Sequence, residues 1–194
     1  IVRVSSKYIN FYAISAHAPY VGCKTEDTDV WWTSFTKTCE SICNKGGKDI
    51  PVICGIDGNV NTYAGGGDLV GALAIKSGKQ PSNFPLFCDH LNALDWIPGS
   101  TFRDKCKFDY AIKPGTFVDK RAGGLSVIDY FLHSRNVQCL DDSIGRVPEL
   151  ILDVDVKDHF PIQGSFVWAS RSRWQGRQSR NQVGYDTSKF GDTD

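Results

Sequence analysis

Leu125-Ser126-Val127-Ile128-Asp129-Tyr130-Phe131-Leu132 decides how this chain is read. Its β-branched, aliphatic and aromatic residues predict a strand, and Asp129 stands in the middle of it. An unpaired charge buried in such a run costs about 3–5 kcal/mol, so a partner is expected. Asp158-His159, set just before Phe160-Pro161-Ile162, is the best candidate. Two further polar clusters also close apolar runs: Asp57-Gly58-Asn59 and His17.

Working outward, residues 1–16 alternate in strand fashion until Pro19 stops them, which places His17 at a strand's carboxyl end. Over 27–44, Trp31, Trp32, Phe35, Cys39, Ile42 and Cys43 follow a 3.6-residue period, with acidic residues first and Gly46-Gly47 last, predicting an amphipathic helix. The continuous apolar run 51–56 predicts a buried strand that delivers Asp57 and Asn59 onto the next loop. Phe84, Phe87, Cys88, Leu91 and Leu94 predict a second helix after Pro81, followed by a turn into a strand at 94–97. Segments 108–112, 115–118, 125–132 and 161–169 read as strands. The stretch from Gly65 to about Ser82 has little periodicity and reads as irregular.

The chain has 194 residues, enough for one domain, taken as 1–169; the Arg-containing stretch 170–194 reads as a tail or linker. Lys plus Arg and Asp plus Glu balance at 22 each, which removes any global electrostatic argument for nucleic-acid binding and leaves only a local one. No apolar stretch approaches the roughly 20 residues that span a bilayer, and the start lacks a signal peptide's pattern, so a soluble protein is expected. The chain begins at Ile1 and contains no Met, which predicts a processed chain or a piece of a longer one. Seven cysteines (23, 39, 43, 54, 88, 106 and 139) are odd in number and scattered through apolar runs, favouring reduced core thiols and an intracellular setting. Cys39 and Cys43 share a helix face but have no second pair nearby, so packing outweighs a zinc site.

Hydrolysis of a phosphodiester requires charge neutralisation on the phosphoryl oxygens, an activated water and help for the leaving oxygen. Asp57 can hold or deprotonate water while Asn59 donates to the phosphate. Asp129 can accept from one imidazole nitrogen of His159 and leave the other free to act. Asp158, pointing away from His159 in an extended chain, faces a metal or its water, and His17 completes the site as phosphate donor or general acid. Oxygen ligands imply Mg²⁺ or Mn²⁺. Each piece has a plainer explanation: Asp-Gly-Asn is often only a turn, Asp129 could pair with an arginine, and Asp-His before Phe-Pro could be a loop contact. Their order on successive strand ends is what favours chemistry.

These residues resemble the endonuclease/exonuclease/phosphatase superfamily, with the endonuclease domains of non-LTR retrotransposons as the closest variety. Ser15-Ala16-His17-Ala18-Pro19 looks like the family's histidine or tyrosine strand, and Gly55-Ile56-Asp57-Gly58-Asn59 like its G-D-x-N motif with one residue displaced. Thr116-Phe117 with Ser126-Val127-Ile128-Asp129-Tyr130-Phe131-Leu132 resembles its aromatic turn and I-D-Y strand. Lys157-Asp158-His159-Phe160-Pro161-Ile162 resembles the closing S-D-H-x-P-I, with lysine in place of serine. The family's early Asn and principal metal-binding Glu have no counterpart here.

The resemblance implies an α/β fold: a DNase I-like sandwich of two packed sheets flanked by helices, truncated at the N-terminus. It assigns His17, Asp57, Asn59, Asp129 and His159 to catalysis, and Asp158 with Asp57 to Mg²⁺ or Mn²⁺. The implied activity is endonucleolytic cleavage of DNA in an intracellular setting, the nucleus being one option, with a polymerase-type module downstream in the parent chain. A phosphatase or lipid phosphodiesterase of the same superfamily ranks second, because no Arg follows Asn59 and no cluster of ring-phosphate-reading cations lies near. A non-catalytic remnant is the alternative of a different class, favoured by the missing Glu. The Arg171 to Arg180 stretch is a solvated linker before it is a phosphate contact.

Overall fold

The apolar run expected as a buried strand is the central strand of a five-stranded sheet, paired on both edges, with one face buried and the other half-buried. The computed structural model describes residues 1–6, 8–20, 22–47, 49–62, 68–73, 83–119, 124–147 and 158–169. In chain order the strands are β1 (Val2–Ser5), β2 (Asn10–His17), β3 (Val52–Asp57), β4 (Trp96–Pro98), β5 (Phe117–Asp119), β6 (Gly124–Ser126), β7 (Asp129–Ser134), β8 (Val137–Cys139), β9 (Gly145–Arg146), β10 (Ile162–Gln163) and β11 (Phe166–Trp168). The α-helices are α1 (Thr25–Gly46), α2 (Asn83–Leu94) and α3 (Phe108–Ile112). The main sheet runs β1-β2-β3-β7-β4. Strands β2 and β3 are parallel, joined through α1 as a parallel pair requires, and the other three pairings are antiparallel.

Register and alternation sort this sheet's side chains. Ile14, Cys54 and Leu132 form one cross-strand row and Ala16, Ile56 and Tyr130 the next, both facing the helices. There Trp32, Cys39, Phe84, Phe87, Leu91 and Trp96 fill the core, none more than 2 % exposed. On the other face Phe11 meets Trp168 at 5.1 Å and Phe131 meets Phe166 at 5.5 Å between ring centroids. The remaining described strands pair only as two-stranded ladders, β8 with β11, β9 with β10 and β5 with β6, rather than as one second sheet. A smaller core of Leu73, Cys106, Tyr110, Ala111, Cys139 and Ile144 lies among them. The architecture is mixed α/β. No helix among the described residues is long and apolar enough to cross a membrane.

Several elements depart from the sequence expectation. Residues 1–16 form a hairpin, because the Ser6 hydroxyl accepts the N–H groups of Tyr8 and Ile9 and turns the chain. Phe108–Ile112 is helical although its aromatic and β-branched residues suggest a strand. Burial at Tyr110 and Ala111 decides there, leaving Phe108 and Ile112 exposed. The single strand expected at 125–132 breaks at Val127-Ile128, and that expected at 161–169 breaks at Gly164-Ser165. Asp57 is the last residue of β3 rather than part of the loop. The stretch 170–194, most of the aperiodic stretch and Lys157 lie outside the described residues.

All seven cysteines are free thiols, four of them buried. Burial pushes Cys39 and Cys106 up to about 12, so both pack as small apolar groups.

Candidate active site

His17, Asp57 and Asp129 are register partners in one row, His17 opposite Asp57 and Asp57 opposite Asp129. Alternation turns that row away from the helices. The parallel strands β2 and β3 both end there and the antiparallel β7 begins there, so three separate segments deliver polar side chains to one end of the sheet.

Asp57 is the centre of the group. Its Oδ1 accepts the backbone N–H of Asn59 at 3.0 Å, and its Oδ2 lies 3.3 Å from His17 Nε2 and 3.8 Å from His159 Nε2. The Asp57 side chain is 16 % exposed and the His17 ring 75 %, so the pair runs from sheet edge to solvent. Asn59 has φ of 47°, a left-handed backbone that Asn tolerates. Its Nδ2 donates to the Ala18 carbonyl at 2.8 Å and stands 3.4 Å from His17 Nε2. That ring nitrogen can donate to Asp57 or accept from Asn59, not both at once.

Asp129 has the partner its surroundings demand. His159 Nδ1 lies 3.2 and 3.1 Å from the two carboxylate oxygens, which fixes the tautomer with Nδ1–H donating and Nε2 free on the Asp57 side. His159 is held by a short pairing with β5: Val118 N–H donates to Asp158 O, Phe160 N–H to Thr116 O, and the Phe117 ring lies 5.0 Å from the imidazole. Burial pushes the Asp129 carboxyl above its usual range. A hydrogen bond from Thr116 and the nearby His159 pull it down in part, while the Asp57 charge adds to the rise.

The fully buried Thr116 supports the site, although it is not among the site residues the sequence picks out. Its Oγ1 accepts the N–H groups of both Ile128 and Asp129 at 3.0 Å, which stops the ladder at Val127-Ile128 and starts a new strand at Asp129. Tyr130 binds the same region from beneath, its hydroxyl lying 2.5 Å from Val60 O and 2.7 Å from Val127 O. Threonine ahead of an aromatic is a faint signal, and only the broken strand reveals what it does.

One oxygen of Asp57, one of Asp129 and one ring nitrogen of His159 lie within 4.8 Å of one another, the one such grouping of acidic, His or Cys ligands among the described residues. Asp158 is outside it and joins the region through its backbone carbonyl. Two carboxylates with an open, half-exposed side fit Mg²⁺ or Mn²⁺, which take one or two carboxylates and complete their shells with water and phosphate oxygens. The structure therefore brings His17, Asp57, Asn59, Asp129 and His159 together and leaves the Asp158 side chain apart.

The chain matches no protein-family model and no curated protein.

Proposed function

We propose that this chain carries the site of a divalent-metal-dependent phosphodiesterase of DNase I-like sandwich architecture, acting on DNA as a retroelement-type endonuclease. The observation that carries the reading is His159, bonded to Asp129 through Nδ1 with Nε2 turned toward Asp57. An acid that holds the tautomer of a histidine whose other nitrogen is free is an arrangement for proton transfer. The choice of DNA rests on the sequence resemblance.

In this reading Asp129 keeps the proton on His159 Nδ1, so Nε2 takes a proton from a water lying between it and Asp57. Asp57 accepts from the same water and aligns it. The Asn59 amide offers a neutral donor to a phosphoryl oxygen, and His17, exposed at the mouth, donates to the phosphate or to the leaving oxygen. Mg²⁺ or Mn²⁺ would be held by Asp57 and Asp129, and supplies neutralisation of the phosphate's negative charge.

The test is nicking of supercoiled plasmid in Mg²⁺, set against phosphate release from monoesters and cleavage of sphingomyelin. Nicking lost in Asp57→Ala and His159→Ala supports the endonuclease; phosphate or lipid turnover lost in the same variants transfers the site to the second-ranked substrates. A second reading, a binding module without the reaction, is favoured by two features: the cluster contains no glutamate, and oxygens of both aspartates already face imidazoles. DNA retention without turnover in any divalent metal would establish that reading instead.

A further inference from the structure

Asn83, the first residue of α2, is 2 % exposed and yet polar. Its Nδ2 donates to the backbone carbonyl of Asn59 at 2.7 Å, while its Oδ1 is buried with no hydrogen-bond partner among the described residues. An apolar residue at the head of this helix would avoid that orphaned acceptor but would lose the donor to Asn59 O. What it holds is a residue in the left-handed region. Asn59 sits at φ 47°, with its N–H taken by Asp57 and its side-chain amide by the Ala18 carbonyl. The carbonyl is the third point of the clamp, and Asn83 alone among the described residues supplies it. Freed from it, the Asn59 peptide can rotate toward right-handed φ, and the rotation carries the side-chain amide away from Ala18 and His17.

We infer that Asn83 is a positioning residue that, through Asn59 O, fixes the Asn59 amide at the place where a phosphate oxygen is met. The inference rests on the phosphodiesterase reading and assigns a role to a helix terminus about 24 positions further along the chain. Asn83 does not touch substrate; it acts through Asn59. It couples the packing of α2 to the geometry of the site, so a change that shifts the helix is felt at the phosphate.

The experiment is a cycle of Asn83→Leu, Asn59→Ala and the double variant in the full chain, read by kcat and KM for plasmid nicking. Asn83→Leu lowers kcat about 10- to 100-fold, the scale of a small misplacement in a site, with KM little changed. The double variant is no slower than Asn59→Ala alone. Wild-type kcat in Asn83→Leu, or losses that multiply in the double variant, would overturn the inference. If Asn83→Leu does not fold, Asn83→Ser, too short to reach Asn59 O, replaces it. If the wild-type chain cleaves nothing, the functional reading fails separately, and the side-chain NH₂ resonances of Asn59 report the linkage. They move in Asn83→Ser if the clamp exists, and unmoved resonances refute it.

Discussion

Asp57 and Asp129 stand directly opposite each other across the β3–β7 ladder, two carboxylates in one register pair. Like charges so placed oppose folding, and burial adds to the cost at Asp129. His159 bridges them, 3.1 Å from one carboxylate and 3.8 Å from the other.

That relationship sets a stability against an activity. Burial raises the Asp129 carboxyl above 3.8, so the folded state binds its proton more tightly than the unfolded chain. The resulting contribution is fully present below pH 3.8 and is lost as pH rises through the folded value. Asp129→Asn keeps an acceptor for His159 Nδ1–H without the charge. Its urea midpoint at pH 7 is expected above wild type, the gap closing toward pH 3.8, while nicking falls. A variant less stable than wild type at pH 7 would mean that the pairing with His159 outweighs burial.

Thr116 is the structural hinge of the site. Thr116→Val leaves two buried N–H groups without an acceptor and is expected to cost about 2–4 kcal/mol. Thr116→Ser, which restores the oxygen, should recover most of it. Equilibrium urea unfolding of both variants decides the matter; equal losses would assign the effect to packing of the methyl group instead.

Metal binding separates two aspartates that sequence reading placed together. Asp57→Asn is expected to weaken Mn²⁺ binding at least about tenfold, on the scale of losing a supporting partner of a metal ligand. Asp158→Asn, outside the cluster, should leave it unchanged. Calorimetric titration of Mn²⁺ into the two variants reads the difference, and a large loss in Asp158→Asn would restore the sequence assignment.

What could be read from the sequence follows from which signals are local. The period of Trp31, Trp32, Phe35 and Cys39 marks α1, and the unbroken run at 52–56 marks β3, because burial of those residues is decided by their own neighbours. His17, Asp57 and Asp129 were legible as strand-end residues, although their shared row depends on pairing that no single segment encodes. The break before Asp129 was invisible, since Val127 and Ile128 suit a strand and it is Thr116, twelve residues before Ile128, that takes its N–H. Phe108–Ile112 misled for the opposite reason: strand-like residues there are overruled by two buried positions, Tyr110 and Ala111.

His90 carries a pH dependence outside the site. It is 1 % exposed, stacked on Phe35 at 4.8 Å and edge-on to Trp96, with Nδ1 on Thr36 Oγ1 at 2.7 Å and Nε2 unpartnered. Burial lowers it from 6.5 to about 4, because desolvation disfavours the charged ring. Here the unfolded chain binds the proton more tightly. The contribution is therefore complete above pH 6.5 and is lost as pH falls from there to about 4, an order of about 2–3 kcal/mol across the window. His133, which burial also lowers, acts in the same direction, so wild type must be compared with His90→Phe, in which the titrating group is gone and the stacked ring is kept. The wild-type melting temperature should drop relative to His90→Phe as pH falls from 6.5 to about 4. Parallel curves would show that the ring is protonated in place without opening the core.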